Sequence, residues 1–547
     1  MNNVLQNAIR VNHRGFLCNS KKRFILTENK SGSLDFSVYF IHDVKHICVY
    51  TGKMVECNED GQTFYEGDFS SITDDGDYFI EAGGYQSRHF VIYDGAYDIC
   101  QRTMLQYFTY QRCGHALGWA GKCHLDDGYI KETGEHIDLS GGYHQSCDLR
   151  KSPGGVSIGV NAMLRFALKD KSQWGQILVM DEVKWALDYY IKSIQDNGVM
   201  YNTLNAPLGW DGRVFYKSGA PSSSQWNTTS ILTLGYLYFK DKDLDFSKKC
   251  LDTALRSYEY MISENRSSEV YKHPDECPVG MDPEFFFEQC RKNSTSDLCY
   301  QISVSSDLYR ATNDEKYLEH IKACLPLVLD KLDGFALLRT DDRKKSVIAS
   351  CSYCWLMSGL LALCDAYELL GDYCDLKNKL FFALDGLCDY MDKSVWKYAE
   401  KIYLDKDLDV VDGFGSNTRR QYMLNLKQFE AFYYNDDEIF EPSVALYFGL
   451  FLVKCGKLLN ENKYIEYAQA IVDNLLGANE LDSSHIYAIG FNHARQHAYG
   501  QFFPSTPFIP GAIGVGYGSL DVYTSSSEYD MPCVGLAMYL ISEISNK

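Results

Sequence analysis

Residues 444–459 read VALYFGLFLVKCGKLL. On a helical wheel the apolar side chains point almost all round, so a helix here belongs between neighbours rather than at a surface. The run is shorter than the roughly 20 residues of a membrane span, and no uninterrupted apolar run in the chain reaches that length, so no membrane partner is expected. Further helical patterns lie on both sides of it, and all of them follow Asp94: 97–113, 155–170, 177–196, 225–240, 245–263, 297–312, 314–331, 350–370, 374–393, 441–457, 461–477 and 531–545. Pro442 and Pro532 stand in first turns, and Asp530 is placed to cap the last helix. Twelve helices in succession make either an open solenoid or six antiparallel hairpins closed into an (α/α)6 ring. A solenoid usually shows a fixed-length repeat; none is found, which favours closure. The connections at 198–224, 264–296, 394–440 and 478–530 are polar, aromatic and Gly-rich. Loops this long in a compact domain are usually functional, and on one rim of a ring they would form a cleft.

The first ninety or so residues have a different character. AIRVNHRGFL, KRFILTE, LDFSVYFI, HICVYTG, DYFIEAGG and RHFVIYD are short, β-branched and aromatic, and turn clusters such as NKSGS, NEDGQ and TDDGD separate them. That spacing predicts an antiparallel β-sandwich. The expected organisation is a sandwich over 1–94 and a helical barrel over 95–547, in keeping with a length of 547 residues, too great for one ordinary core.

A formal net charge of -20 argues against a phosphate-backbone partner, so no nucleic acid is expected. The start, MNNVLQNAIRVNHRG, lacks a basic segment followed by an apolar one, and the 19 Cys read as reduced thiols, so a cytoplasmic location is expected. The 41 Tyr fill core and surface, or line a groove that stacks on sugar rings.

Three stretches carry chemistry. YQRCGHALGWAGKCHLDDG supplies Cys113, Cys123 and His124, and His144 follows in LSGGYHQSCDLRKS. Two thiolates and two imidazoles suit a closed tetrahedral zinc site. The spacing is not that of a zinc finger, and the four read equally well as two buried thiols and two ordinary histidines. Asp148 precedes a helix beginning near Pro153, where helix amides hold a carboxylate ionised, as a general base requires, or where it serves as a cap. Glu528, in YTSSSEYDMPCVGLAMYL, is a candidate partner or a solvated loop residue. Glycoside hydrolysis needs two carboxyl groups flanking the sugar, and ring closure would set the second helix beside the twelfth.

Together these pieces resemble glycoside hydrolase family 9, whose members typically pair an N-terminal immunoglobulin-like domain with an (α/α)6 catalytic barrel. RVNHRGFL and EGDFSSITDDGDYFIEAGG resemble strands of the family's first domain, and YQRCG, CHLDD and DLSGGYH resemble its zinc-bearing stretch. The resemblance implies a structural zinc on Cys113, Cys123, His124 and His144. The family pattern Gly-Gly-Trp-(His/Tyr)-Asp-Ala-Gly-Asp is GGYHQSCD here. Its last Asp, the base, matches Asp148. Its first Asp, which helps hold the attacking water, is replaced by Gln145, an amide without charge. Cys147 stands where the family has Gly. Glu528 in SSEYDMP matches the general acid. GFNHARQHAYG is the nearest match to the Pro-His-His-Arg stretch that binds sugar hydroxyls, which implies substrate contacts at His493, Arg495 and His497; PFIPGAIGVG follows it as in the family. Trp210, Tyr216 and Trp226 are candidates for stacking on sugars, or for core packing. Calcium, common in the family, has no assignable ligand set in the scattered acidic loops.

The implied activity is inverting hydrolysis of β-glycosidic bonds in β-glucan-derived or cello-oligosaccharides. Exo-acting β-glucosidase or β-glucosaminidase activity is the alternative within the family. Sugar binding without turnover is the alternative that Gln145 motivates.

Overall fold

The computed structural model describes residues 6–59, 61–116, 121–146, 149, 151, 153–170, 173–203, 214–216, 222–263, 266, 291–332, 355–399, 442–493, 509–514 and 529–545. Ten short strands come first: β1 (Ile9–Arg10), β2 (Gly15–Phe16), β3 (Arg23–Leu26), β4 (Asp35–His42), β5 (Lys45–Lys53), β6 (Val55–Glu59), β7 (Gln62–Asp68), β8 (Gly76–Ala82), β9 (Tyr85–Gln86) and β10 (Phe90–Ile92). They form two sheets, ordered β1-β3-β7-β6 and β2-β10-β8-β4-β5, with β9 paired to β8. Phe16, Phe24, Phe36, Phe69 and Phe90 fill the space between them, many in edge-to-face contact. The sandwich is not wholly antiparallel, because β2 and β10 pair in parallel. The physical reason is that β1 and β2 lie in different sheets, so the chain crosses over between them and reaches β10 running the same way.

Twelve α-helices follow among the described residues: α1 (Asp98–Tyr110), α2 (Pro153–Lys169), α3 (Gln173–Ser193), α4 (Ser222–Phe239), α5 (Leu244–Ile262), α6 (Thr295–Thr312), α7 (Lys316–Leu329), α8 (Trp355–Leu370), α9 (Leu376–Met391), α10 (Pro442–Leu459), α11 (Asn462–Leu475) and α12 (Met531–Ser545). Each overlaps a helix expected from the periodicity. The even-numbered helices pack α2 on α4, α4 on α6, and so on to α12, which packs on α2. That circuit is the closed inner ring of an (α/α)6 barrel. The odd-numbered helices pack outside it, and α5 and α11 bury one face each. Every inner helix is buried on several sides, which explains the apolar wrap of α10: by length and composition it could cross a membrane, but it packs against α8, α11 and α12.

Closure depends on a close crossing of α2 and α12. A Cβ on Gly535 would lie 2.3 Å from the Gly159 carbonyl oxygen, so only glycine lets the helices approach this far. The inner ring also buries charge, and pairs it. Arg165 meets Asp307 at 2.8 Å, Arg310 meets Asp365 at 3.1 Å, and Lys169 pairs with Glu543.

The sandwich is fixed to the barrel by polar contacts. Asn12 Nδ2 donates to Asp473 of α11 at 2.8 Å, the His13 amide donates to the Leu476 carbonyl, and Arg23 donates to the Val395 and Trp396 carbonyls.

Candidate active site and metal centre

Helix α1 stops at Tyr110, short of the expected 113, because the next residues pair with another strand of chain. The Cys113 amide donates to Gly142 O, the His144 amide donates to Gln111 O, and Arg112 bridges Tyr143 in antiparallel register. This pairing sets Cys113 beside His144, and Cys123 and His124 fold onto them. One ligand atom from each of the four lies within 4.8 Å of the others, and all four residues are buried. Cys123 Sγ is 3.1 Å from His144 Nε2. His124 Nδ1, His124 Nε2 and His144 Nδ1 are buried without a hydrogen-bond partner, which a protein rarely leaves so. Burial opposes ionisation of Cys113, yet the Cys123 thiol, the Lys151 ammonium and the two imidazoles together hold it well below the usual thiol range. Cys123, hydrogen-bonded to Cys113 and buried, is raised far above it. His144 is lowered, chiefly by burial, and so is neutral as a ligand must be. Two thiols, two buried imidazoles and orphaned ring nitrogens fit a four-coordinate cation of the zinc type.

The Cys/His cluster leads directly into the second feature. A three-part ladder joins distant parts of the chain: Gly514 bridges Tyr529, and Ser146 bridges Asp530 in antiparallel register. The Asp530 amide donates to Ile513 O at 3.0 Å, and the Met531 amide donates to Gln145 O at 3.1 Å. The Gln145 side chain closes the ladder, its Nε2 donating to Asp530 Oδ1 at 3.0 Å. That amide lies flat against α2, where a Cβ on Gly155 would come within 2.5 Å of it. Within the ring a cavity of about 40 Å³, room for about three waters, is lined from all six inner helices, by Asn161, Asn227, Tyr300, Leu361, Tyr447 and Leu536 among others.

The structure brings the four metal candidates together and fixes Gln145. Asp148, Glu528, Trp210, Arg495 and His497 lie outside the described residues, as does the side chain of Tyr216, whose backbone pairs with Asn202 in a small sheet. His493 is half-buried, its Nδ1 within 3.0 Å of Ser484 O and its ring 5.1 Å from that of Tyr487. Trp226 is not a stacking platform. It is 0% exposed, and its Nε1 donates to Asp297 at 2.7 Å. The reason is that Trp226 lies on α4, an inner-ring helix that is buried almost all round. Sequence reasoning missed the role of Asp530, read only as a cap. Its position two residues after Glu528 and just before the last helix was the available signal.

The sequence model described as Glycosyl hydrolase family 9 matches residues 97–507, and that of the cellulase N-terminal ig-like domain matches residues 5–87. A cellodextrinase of Butyrivibrio fibrisolvens is 26% identical over 341 residues, 56% of this chain and 59% of that protein. Endoglucanase D of Acetivibrio thermocellus is 22% identical over 354 residues, 58% of this chain and 53% of that protein. These matches thus span less than two thirds of either relative. The crystal structure of a metagenome-derived family 9 endoglucanase superposes with a TM-score of 0.69 at 17% identity, covering 98% of this chain and 99% of that one.

Proposed function

The chain belongs to glycosyl hydrolase family 9, and from that premise we propose that it hydrolyses β-glycosidic bonds in β-glucan-derived oligosaccharides with inversion. The observation that carries this reading is the Ser146–Asp530 bridge. Asp148 follows one side of it by two residues, Glu528 precedes the other by two, and two residues of chain reach at most about 7 Å. The bridge joins two segments far apart in the sequence, and each carries one of the two candidate carboxyl groups. The preference for soluble oligosaccharides draws on the cellodextrinase among the relatives.

In this reading Glu528, protonated, donates to the leaving oxygen. Asp148 takes a proton from water on the opposite face of the ring, and a single displacement inverts the anomeric centre. Gln145 contributes a dipole rather than a charge. An amide suits this position, because a carboxylate at 145 would meet that of Asp530. Cys113, Cys123, His124 and His144 would hold a structural zinc, which would fix the turn leading to Asp148; the orphaned imidazole nitrogens support this assignment. A reducing, cytoplasmic setting is part of the same reading. It draws on the 19 Cys of the chain, an odd number that cannot all pair within it.

The test is product analysis with β-linked oligosaccharides and glucosaminides, beside Asp148→Asn and Glu528→Gln. The expected result is turnover in the wild type, first product of inverted configuration, and loss of turnover in both variants. A second reading, sugar binding without turnover, is favoured by Gln145 standing in place of the family Asp. Measurable binding with no product from the wild type would establish it and overturn the first.

A further inference from the structure

Asp482 belongs to the barrel, in the turns after α11, yet its main partners belong to the sandwich. Its side chain is 1% exposed. Oδ1 lies 2.8 Å from His13 Nε2, while Oδ2 accepts from Arg88 Nη2 at 2.7 Å and from the Asn7 amide at 2.8 Å. Asn492 Nδ2 adds a bond to the same carboxylate at 3.1 Å and one to the Asp482 carbonyl at 2.8 Å. Asp482 has φ of 50°, in the left-handed region that Asp adopts more readily than most residues with a Cβ.

His13 extends the grip. Its Nδ1 accepts the Phe491 amide at 3.2 Å, so the ring hydrogen is on Nε2 and is donated to Asp482. The Phe491 ring stands edge-on to His13 with centroids 5.4 Å apart, and the Arg88 guanidinium lies 4.5 Å from its centre. Two side chains of the sandwich therefore hold both ends of the barrel segment 482–491.

That segment is bonded on to the catalytic ladder. The Tyr487 amide donates to Ala512 O at 3.0 Å, and the Gly511 amide returns to Tyr487 O at 2.9 Å. The next residue, Ile513, accepts from Asp530, which bridges Ser146. A continuous set of backbone bonds thus runs from the domain interface to the segments that carry Asp148 and Glu528.

Resting on the hydrolase reading above, we infer that Asp482 is a positioning residue: held by His13 and Arg88 of the sandwich, it fixes the path Tyr487–Ala512–Asp530–Ser146 and so sets the alignment of the acid and base segments. The sandwich then serves catalysis through one buried carboxylate, beyond its bulk contribution to stability. Misalignment of reacting groups by about an ångström costs up to about a hundredfold in rate, while sugar affinity, spread over the cleft, changes little.

The experiment uses the full chain with Asp482→Asn, which keeps the shape and removes the charge, assayed well below its melting transition. The expected result is kcat at least about tenfold lower with KM unchanged, together with faster hydrogen exchange at the Gly511, Asp530 and Met531 amides and unchanged exchange in α6 and α7. A folded variant with wild-type kcat, or with unchanged exchange at Asp530 and Met531, overturns the inference and leaves Asp482 a purely structural contact. Should Asp482→Asn fail to fold, Arg88→Met, which leaves the His13 bond in place, is read by the same two measurements. If the wild type turns over no β-linked sugar, the hydrolase reading fails, and hydrogen exchange alone still decides whether Asp482 orders the ladder.

Discussion

Gln145→Glu replaces one amide NH2 by oxygen at a point 3.0 Å from the Asp530 carboxylate, where Gln145 is 9% and Asp530 1% exposed. Two ionised carboxylates at that separation repel by about 5–6 kcal/mol at an effective dielectric constant of about 20. Taking up a proton is the cheaper outcome. Keeping a Glu of ordinary pKa, about 4.3, protonated at pH 7 costs about 4 kcal/mol. The protonated carboxyl then donates to Asp530 in place of the lost amide bond. The variant is therefore expected to lose about 4 kcal/mol at pH 7, falling by about 1.4 kcal/mol per pH unit to about 1 kcal/mol at pH 5. The sign follows from the folded pKa being raised: the deficit is absent below the unfolded value and grows as pH rises towards the folded one. At about 2.1 cal/mol/K per residue, the deficit at pH 7 lowers the melting temperature by about 3–4 °C. Denaturant and thermal melts of wild type and variant at pH 5 and pH 7 measure it, and adding Asp530→Asn to the variant should remove most of the pH dependence. Equal stability of Gln145→Glu and wild type at pH 7 would refute the Gln145–Asp530 contact, and with it the ladder geometry.

Three further outcomes are expected. Purified protein reconstituted with zinc should hold about one equivalent per chain, and His144→Ala or His124→Ala should lose it along with thermal stability; wild-type metal content in both variants would dismiss the cluster as a metal site. Asp473, buried at the domain interface, has its pKa pushed up by burial to about 6, so its stabilising contribution is present below the unfolded value and is lost as pH rises through about 6. Asp473→Asn keeps an acceptor for Asn12 and Gln469, and its stability advantage over wild type should grow from near zero at pH 4 to about 3 kcal/mol at pH 7; an advantage independent of pH would contradict this. Gly535→Ala forces α2 and α12 apart at the Gly159 carbonyl and should cost about 1–3 kcal/mol in a denaturant melt, whereas a neutral effect would mean that the crossing is looser than described.

The helices were legible because periodicity is a property of neighbouring residues. The apolar wrap of 444–459 identifies a helix enclosed by others, and all twelve patterns correspond to helices. The Cys/His cluster was legible as a candidate set of ligands, but spacing alone left it open. Its support is the pairing of 111–113 with 142–144, which also ends α1 early. The parallel β2–β10 pair was not legible, since a two-residue strand does not record which sheet it joins.

What the sequence by itself determined was a β-rich segment followed by twelve helices, the resemblance to a family, and the candidate acid, base and metal ligands. The segments follow from local periodicity, whereas the roles of the candidate acid, base and metal ligands are what the family resemblance implies for residues at matching positions. Only the tertiary structure decided that Trp226 faces the core, that Gln145 is held by Asp530, and that Asp482 answers to the sandwich. Each of those contacts joins residues from 71 to 469 positions apart. Which of many polar groups becomes the partner of another depends on which helix faces meet when the ring closes, and a linear pattern carries no record of that.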